Sequence, residues 1–175
     1  MRIEKDPNRV GKLAKQRERA NWNFRCYLKQ SGIPASRIDE SVHSLYREVL
    51  QRIDCTQCAN CCKQVTPHLG PTDVSRIARH LGLRPSEFTR RYLKQDPAAH
   101  GEGLVLNCQP CAFLKDKSCS VYEARPRDCR SFPHLHKRDF VFRVTQAFAN
   151  CSLCPIVFNV YEGLKRQFWY CREQP

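Results

Sequence analysis

Four thiols fall within eight residues, Cys55, Cys58, Cys61 and Cys62 of the stretch DCTQCANCCKQ, and no other feature restricts this chain as tightly. Sulfurs spaced C-x-x-C-x-x-C-C can cross-link a fold, attack a substrate or hold a metal. The chain is 175 residues long and carries twelve cysteines. A chain of that length buries a real core without disulfide staples. Its first residues, MRIEKDPNRV, are charged and lack the apolar stretch of a secretory signal. No run approaches the ~18 apolar residues of a membrane span. The expected location is therefore cytoplasmic, where thiols stay reduced and a disulfide framework is disfavoured.

Ten of the twelve thiols lie between Cys55 and Cys154 in short-spaced groups: Cys55, Cys58, Cys61 and Cys62, then Cys108 and Cys111, then Cys119 and Cys129, then Cys151 and Cys154. A C-x-x-C turn aims two sulfurs at one ion, and repeated pairs from separate segments point to metal ligation. No βαβ pattern surrounds any of them, which argues against a thioredoxin-type redox pair. The ten sit in turns beside polar residues, where core packing explains little, and they form the expected ligand pool. Cys26 and Cys171 lie inside helical apolar faces and read as core thiols. Neighbouring side chains diverge, so Cys61 and Cys62 are not expected to serve one compact site. Ten thiols suffice for two four-thiolate sites.

The choice of metal stays open at this level. Paired knuckles from separate loops suit structural zinc. The C-x-x-C-x-x-C run with a remote Cys-Pro, Cys154-Pro155, leans towards a 4Fe-4S iron–sulfur cluster. Pro155 reads as the first residue of a helix, which puts Cys154 at an N-terminus where unpaired amides favour a thiolate.

The expected fold is α+β and mostly helical, a single domain organised around a cysteine-ligated metal site with short β-strands. Residues 1–35 read as a basic N-terminal helical segment and 36–175 as the cysteine-cluster domain. The spacing predicts one helix from Asn8 to Leu28 and a second from about Ser36, with Ser36 as cap and Asp39 three residues on. Further helices are predicted at PTDVSRIARHLG, capped by Thr72, and at PSEFTRRYL. Short strands are predicted at LVL, AFL and CSVY, and a longer one at DFVFRVTQAFA, which alternates. PIVFNVYEGLKRQFWY closes the chain as a helix.

Thirty Lys and Arg against 17 Asp and Glu give a formal charge of +13. Two divalent ions held by four thiolates each would lower that to about +9, so anionic partners are favoured either way. Lys5, Arg9, Lys12, Lys15 and Arg19 form a basic stripe, read first as a solvated face; nucleic-acid binding is the weaker reading. Arg125, Arg127 and Arg130 surround Cys129, and Arg125 and Arg130 are the candidates for donating to thiolates or cluster sulfides. His134 and His136 alternate onto one side of an extended chain and are secondary ligand candidates; His68, six residues past Cys62, is a weaker one, and His43, His80 and His100 read as exposed helix or loop residues. No hydrolase elbow, zinc-protease motif or phosphate loop is present, and no catalytic residue is assigned.

CTQCANCC followed by PCAFLKDKSCSVYEARPRDCRSFP resembles the CxxCxxCC (YkgJ-like) cysteine-cluster family, a zinc- or iron-chelating domain. The resemblance rests on Cys55, Cys58, Cys61 and Cys62, and on Pro110, Cys111, Phe113, Leu114, Cys119, Tyr122, Arg125, Pro126, Cys129, Arg130 and Pro133. It implies metal chelation. One branch is similar to flagellin lysine methylases; the chain lacks a strand, Gly-rich turn and helix for an adenosyl cofactor, and methylase activity is not carried over. The expected function is a metal-binding protein active in electron transfer, cluster handling or support of a partner enzyme. The alternative is a structural-zinc module that binds nucleic acid or another protein through its basic face.

Overall fold

The structure, a computed structural model, describes residues 2–96 and 103–170. In chain order its first helices are α1 (Pro7–Gln16), α2 (Glu18–Gln30), α3 (Ala35–Leu50), α4 (Cys55–Cys58) and α5 (Asn60–Gln64). Then come β1 (His68–Leu69), α6 (Pro71–His80), α7 (Pro85–Tyr92), β2 (Leu93–Gln95), β3 (Leu104–Leu106), β4 (Leu114–Lys115) and β5 (Ser118–Cys119). A 3-10 turn at Tyr122–Ala124 precedes α8 (Arg127–Ser131), α9 (Phe140–Asn150) and α10 (Pro155–Phe168). The chain is thus mostly helical with a few short antiparallel strands. It divides into two compact units, Met1–Cys55 with Pro133–Pro175, and Thr56–Phe132.

The first unit is built around α10. Every residue from Pro155 to Lys165 is buried, because α1, α3 and α9 all pack against this helix. Val42, Leu45 and Val49 of α3 recur at helical spacing and are buried. Gly163 lets α3 and α10 approach closely: a Cβ there would lie 2.8 Å from Leu45 Cδ2.

Two expectations fail in this unit. The predicted single helix over residues 8–28 is two helices, broken at Arg17, whose φ of −102° and ψ of 12° are not helical. The break lets α1 pack on α10 and α2 on α9, so each half buries its own stripe: Val10 and Ala14 in one, Phe24 and Leu28 in the other. DFVFRVTQAFA is a helix rather than a strand. Its buried residues, Phe140, Val144 and Ala147, stand four and three apart, while the alternating Phe142 is 78% exposed. The helix starts there because Asp39 of α3 accepts from the backbone N–H of Asp139 (2.7 Å) and Phe140 (2.9 Å). Asp39 therefore caps a distant helix, not its own; α3 begins after Pro34 with no side-chain cap.

The second unit has a three-stranded antiparallel sheet in the order β1-β3-β2, with Leu69 opposite Leu104 and Leu93 opposite Leu106. A separate hairpin, β4-β5, pairs Leu114 with Cys119. Leu69, Val74, Ile77, Phe88, Leu106, Phe113 and Val121 form the core, and Cys111 and Cys119 pack against its edge. The LVL run is β3, whereas AFL and CSVY each reach a strand by one residue only, Leu114 of β4 and Cys119 of β5, and Tyr122 opens a 3-10 turn instead. The cap of α6 is Gly70 rather than Thr72, since Pro71 takes the first helical position and Asp73 reaches back to the Gly70 N–H at 3.4 Å. Gly82, at φ +69°, follows α6 as expected of a helix stop.

Candidate metal centre

In the second unit the thiols are delivered by three separate pieces of chain. Ala59, at φ 51°, turns the chain between α4 and α5, and α5 carries Cys61 and Cys62. The Cys111 N–H donates to the Cys62 carbonyl at 2.9 Å, which joins the second piece to the first. From Cys111 the chain enters the β4-β5 hairpin, which returns at Cys119. Cys129 arrives on α8, the third piece. That helix is tied to β1 where the His68 N–H donates to Asp128 Oδ2 at 3.3 Å.

These connections make neighbours of Cys62, Cys111, Cys119 and Cys129. Burial pushes the Cys111 thiol up, and the charges of Cys62, Cys119 and Cys108 add to it. Cys119 is raised by burial and then by Cys62. Burial followed by Cys111, Cys62, Asp128 and Cys119 pushes the Cys129 thiol up to about 12, although the residue as a whole is exposed. Cys62 is raised most by a hydrogen bond with the Cys61 thiol, and then by burial. The two adjacent side chains therefore meet, against the expectation that they diverge. The common physical content is that thiolate charge in this place is costly without a compensating cation.

Arg125 supplies part of that compensation. Its guanidinium opposes the rise at both Cys62 and Cys119, and it lies over the Tyr122 ring at 3.8 Å from the centroid. Its Nε is buried with no hydrogen-bond partner among the described residues. A buried N–H left unmatched beside several sulfurs fits a site meant to carry anionic ligands. Arg130 is engaged with backbone instead, donating from Nε to the Arg125 carbonyl at 3.1 Å and from Nη2 to the Glu123 carbonyl. Arg127 contributes its backbone N–H to Asp73 Oδ1 at 3.0 Å.

Sequence reasoning missed the clasp that holds this loop. Asp73 is buried and binds Arg76 and the Arg127 N–H together. Arg76 in turn donates to the carbonyls of Ala124 (3.2 Å) and Arg125 (2.9 Å). The pair fixes α6 to the residues just ahead of Cys129. An Asp at the third helical position followed by Arg three residues on was the available signal.

Three of the predicted thiols sit in the first unit. Tyr46 is raised by burial and then by Cys55 and Cys154, so both thiols lie near its hydroxyl. Cys154 is the N-cap of α10 with Pro155 at the first helical position, as the sequence implied. Cys151 is 2% exposed, and its thiol is driven well above the ordinary range by burial. Cys151 does sit in the turn after α9, between Asn150 and Ser152, but its side chain is buried rather than open to that polar turn. Cys26 is only half-buried, and Arg25 donates to its sulfur at 3.9 Å. Cys171 and His100 lie outside the described residues.

The histidines divide. His134 is buried at φ 62° and His136 is exposed, so the two do not share one side of an extended chain. His68 faces Asp96 at 3.5 Å and His43 faces the Lys137 carbonyl at 3.4 Å.

Soft sulfur donors fit zinc, single iron or iron–sulfur clusters. Among the described residues, no three His, Cys, Asp or Glu side chains stand in an arrangement that could hold an ion as it is. What the second unit provides is a neighbourhood of four thiols with a cation at its side. Among the described residues no helix is long and apolar enough to cross a membrane. Residues 54–155 match a family profile described as "CxxCxxCC: Putative zinc- or iron-chelating domain". No solved structure matches the chain.

Proposed function

From the premise that this chain belongs to the CxxCxxCC family, we propose that its second unit is a thiolate metal-binding domain. Cys62, Cys111, Cys119 and Cys129 are the ligands of this reading, and Arg125 offsets their charge. The observation that carries it is the neighbourhood of these four thiols, drawn from three separate segments. Cys58, Cys61 and Cys108 flank the site in sequence and complete the ligand pool of this unit. Cys55 and Cys154, with Cys151 three residues before, form a second group beside Tyr46. Closing the site requires the thiols to lose protons and turn inward, so metal binding releases protons and couples to folding.

Four thiolates around a single ion favour zinc, which would make the domain a structural interaction module. The C-x-x-C-x-x-C spacing read from the sequence is the feature that favours an iron–sulfur cluster. That version would serve electron transfer, cluster handling or the support of a partner enzyme. Protein purified without air separates the two: brown with broad visible absorption for iron–sulfur, colourless with stoichiometric zinc for the other. In either case elemental analysis should find metal retained in Cys26→Ser and lost in the double variant Cys62→Ser/Cys129→Ser. Full retention by the double variant, correctly folded, would remove these ligands from the account.

A further inference from the structure

A face of the first unit carries exposed aromatic rings among cations. Trp22 on α2 is 47% exposed and Phe142 on α9 is 78% exposed. The Trp22 ring meets Phe148 edge-on at 5.6 Å, and Arg25 Nε donates to Thr145 Oγ1 at 2.9 Å. Numbers rise along α2 as they fall along α9, so the two helices run antiparallel side by side. Two rows result. One is Arg19, Trp22, Arg25 and Lys29; the other is Phe148, Thr145 and Phe142, each spaced about one helical turn apart. The Arg25 guanidinium lies over the Trp22 ring at 4.4 Å from its centre.

The charge on this face is mostly positive, with Asp139 one turn ahead of Phe142 at its end. α2 contains Arg19, Arg25 and Lys29 against the single carboxylate Glu18, and α9 contains no acidic residue. Exposed rings of this size serve no purpose in the core, and their ring of cations selects an anionic occupant. Two anionic surfaces are candidates, a lipid headgroup layer and a nucleic acid. Membrane insertion wants a continuous apolar strip. Here Arg25 and Thr145 interrupt the aromatics, giving separate flat platforms instead. Separate platforms flanked by cations are what successive bases and their phosphates require.

We propose that the α2/α9 face docks single-stranded nucleic acid, with bases stacking on Trp22 and Phe142 and phosphates meeting Arg19 and Lys29. The partner is read by stacking and charge, without base-specific hydrogen bonds, so its sequence preference is weak. The proposal is independent of the metal centre, and metal loss by itself leaves it standing.

The test uses the full metal-loaded chain and a fluorescein-labelled oligo-dT of about 20 nucleotides, longer than one footprint of this kind. Low-salt binding is expected, with quenching of Trp22 fluorescence. Affinity should fall about tenfold or more in Trp22→Ala and in Phe142→Ser, and largely survive in Trp22→Phe. Phe142 is so exposed that its replacement leaves the core untouched, which keeps the test valid if Trp22→Ala folds poorly. Lys29→Glu should weaken binding and reduce the salt slope by about one. Heparin, a polyanion without bases, should bind without quenching Trp22 and should not distinguish Phe142→Ser from the parent. The proposal is overturned if the oligonucleotide is not bound, if Phe142→Ser binds it as well as the parent, or if vesicles containing phosphatidylserine are bound in its place.

Discussion

Lys165 is fully buried, and its ammonium is held by two groups: Asn21 Oδ1 at 2.7 Å and Glu162 Oε1 at 2.5 Å. Glu162 is shared, since Arg17 donates to its other oxygen at 2.8 Å. Tyr161 completes the arrangement by donating to the Asn21 carbonyl at 2.9 Å. One buried network thus joins the break between α1 and α2 to the central helix. Removing one member strands a charge in the interior, which is worse than removing both. Glu162→Leu should therefore lower unfolding stability by about 3 kcal/mol in urea titration, and adding Lys165→Met should recover much of the loss. Equal or additive losses in the double variant would show that the pair is not coupled. None of these polar residues stood out in the sequence, where the apolar stripe of α10 hid Asn159, Glu162 and Lys165 among exposed-looking positions. The helix is buried on all sides, and a one-sided stripe does not announce that.

At the scale of elements, the clearest misreading was α9. Phe140, Phe142 and Val144 alternate, and alternation over a few residues is shared by strands and by helices with one exposed aromatic. Only the longer spacing through Ala147 distinguishes them. The helix also depends on a cap that sequence reasoning looked for locally, while the carboxylate comes from Asp39 about a hundred residues earlier. Asp39→Ala should cost about 1–2 kcal/mol of stability and raise hydrogen exchange at the amides of Asp139 and Phe140. Unchanged exchange at those two amides would mean that the cap is dispensable. The strands fared better. LVL was legible as a strand, whereas AFL and CSVY marked the β4-β5 hairpin only by its ends, Leu114 and Cys119, and β1 and β2, two and three residues long, carry too little pattern to see.

For the whole molecule, the cysteine spacing made metal binding legible and left the grouping of thiols hidden. Spacing along the chain suggested that the Cys55–Cys62 run acts as a block. Folding divides it, because the boundary of the two compact units falls inside α4, after Cys55. Cys62 then joins Cys111, Cys119 and Cys129, residues reached through a hairpin and a short helix that no local pattern connects. The Asp73–Arg76 clasp that holds this arrangement is likewise long-range and leaves only a faint trace in sequence. X-ray absorption at the edge of whichever metal the native protein holds measures the central claim most directly. The account predicts a first shell of four sulfurs, at about 2.3 Å for zinc, that loses sulfur in Cys62→Ser and in Cys129→Ser and not in Cys26→Ser. A first shell dominated by oxygen or nitrogen, or one indifferent to Cys62 and Cys129, would contradict it.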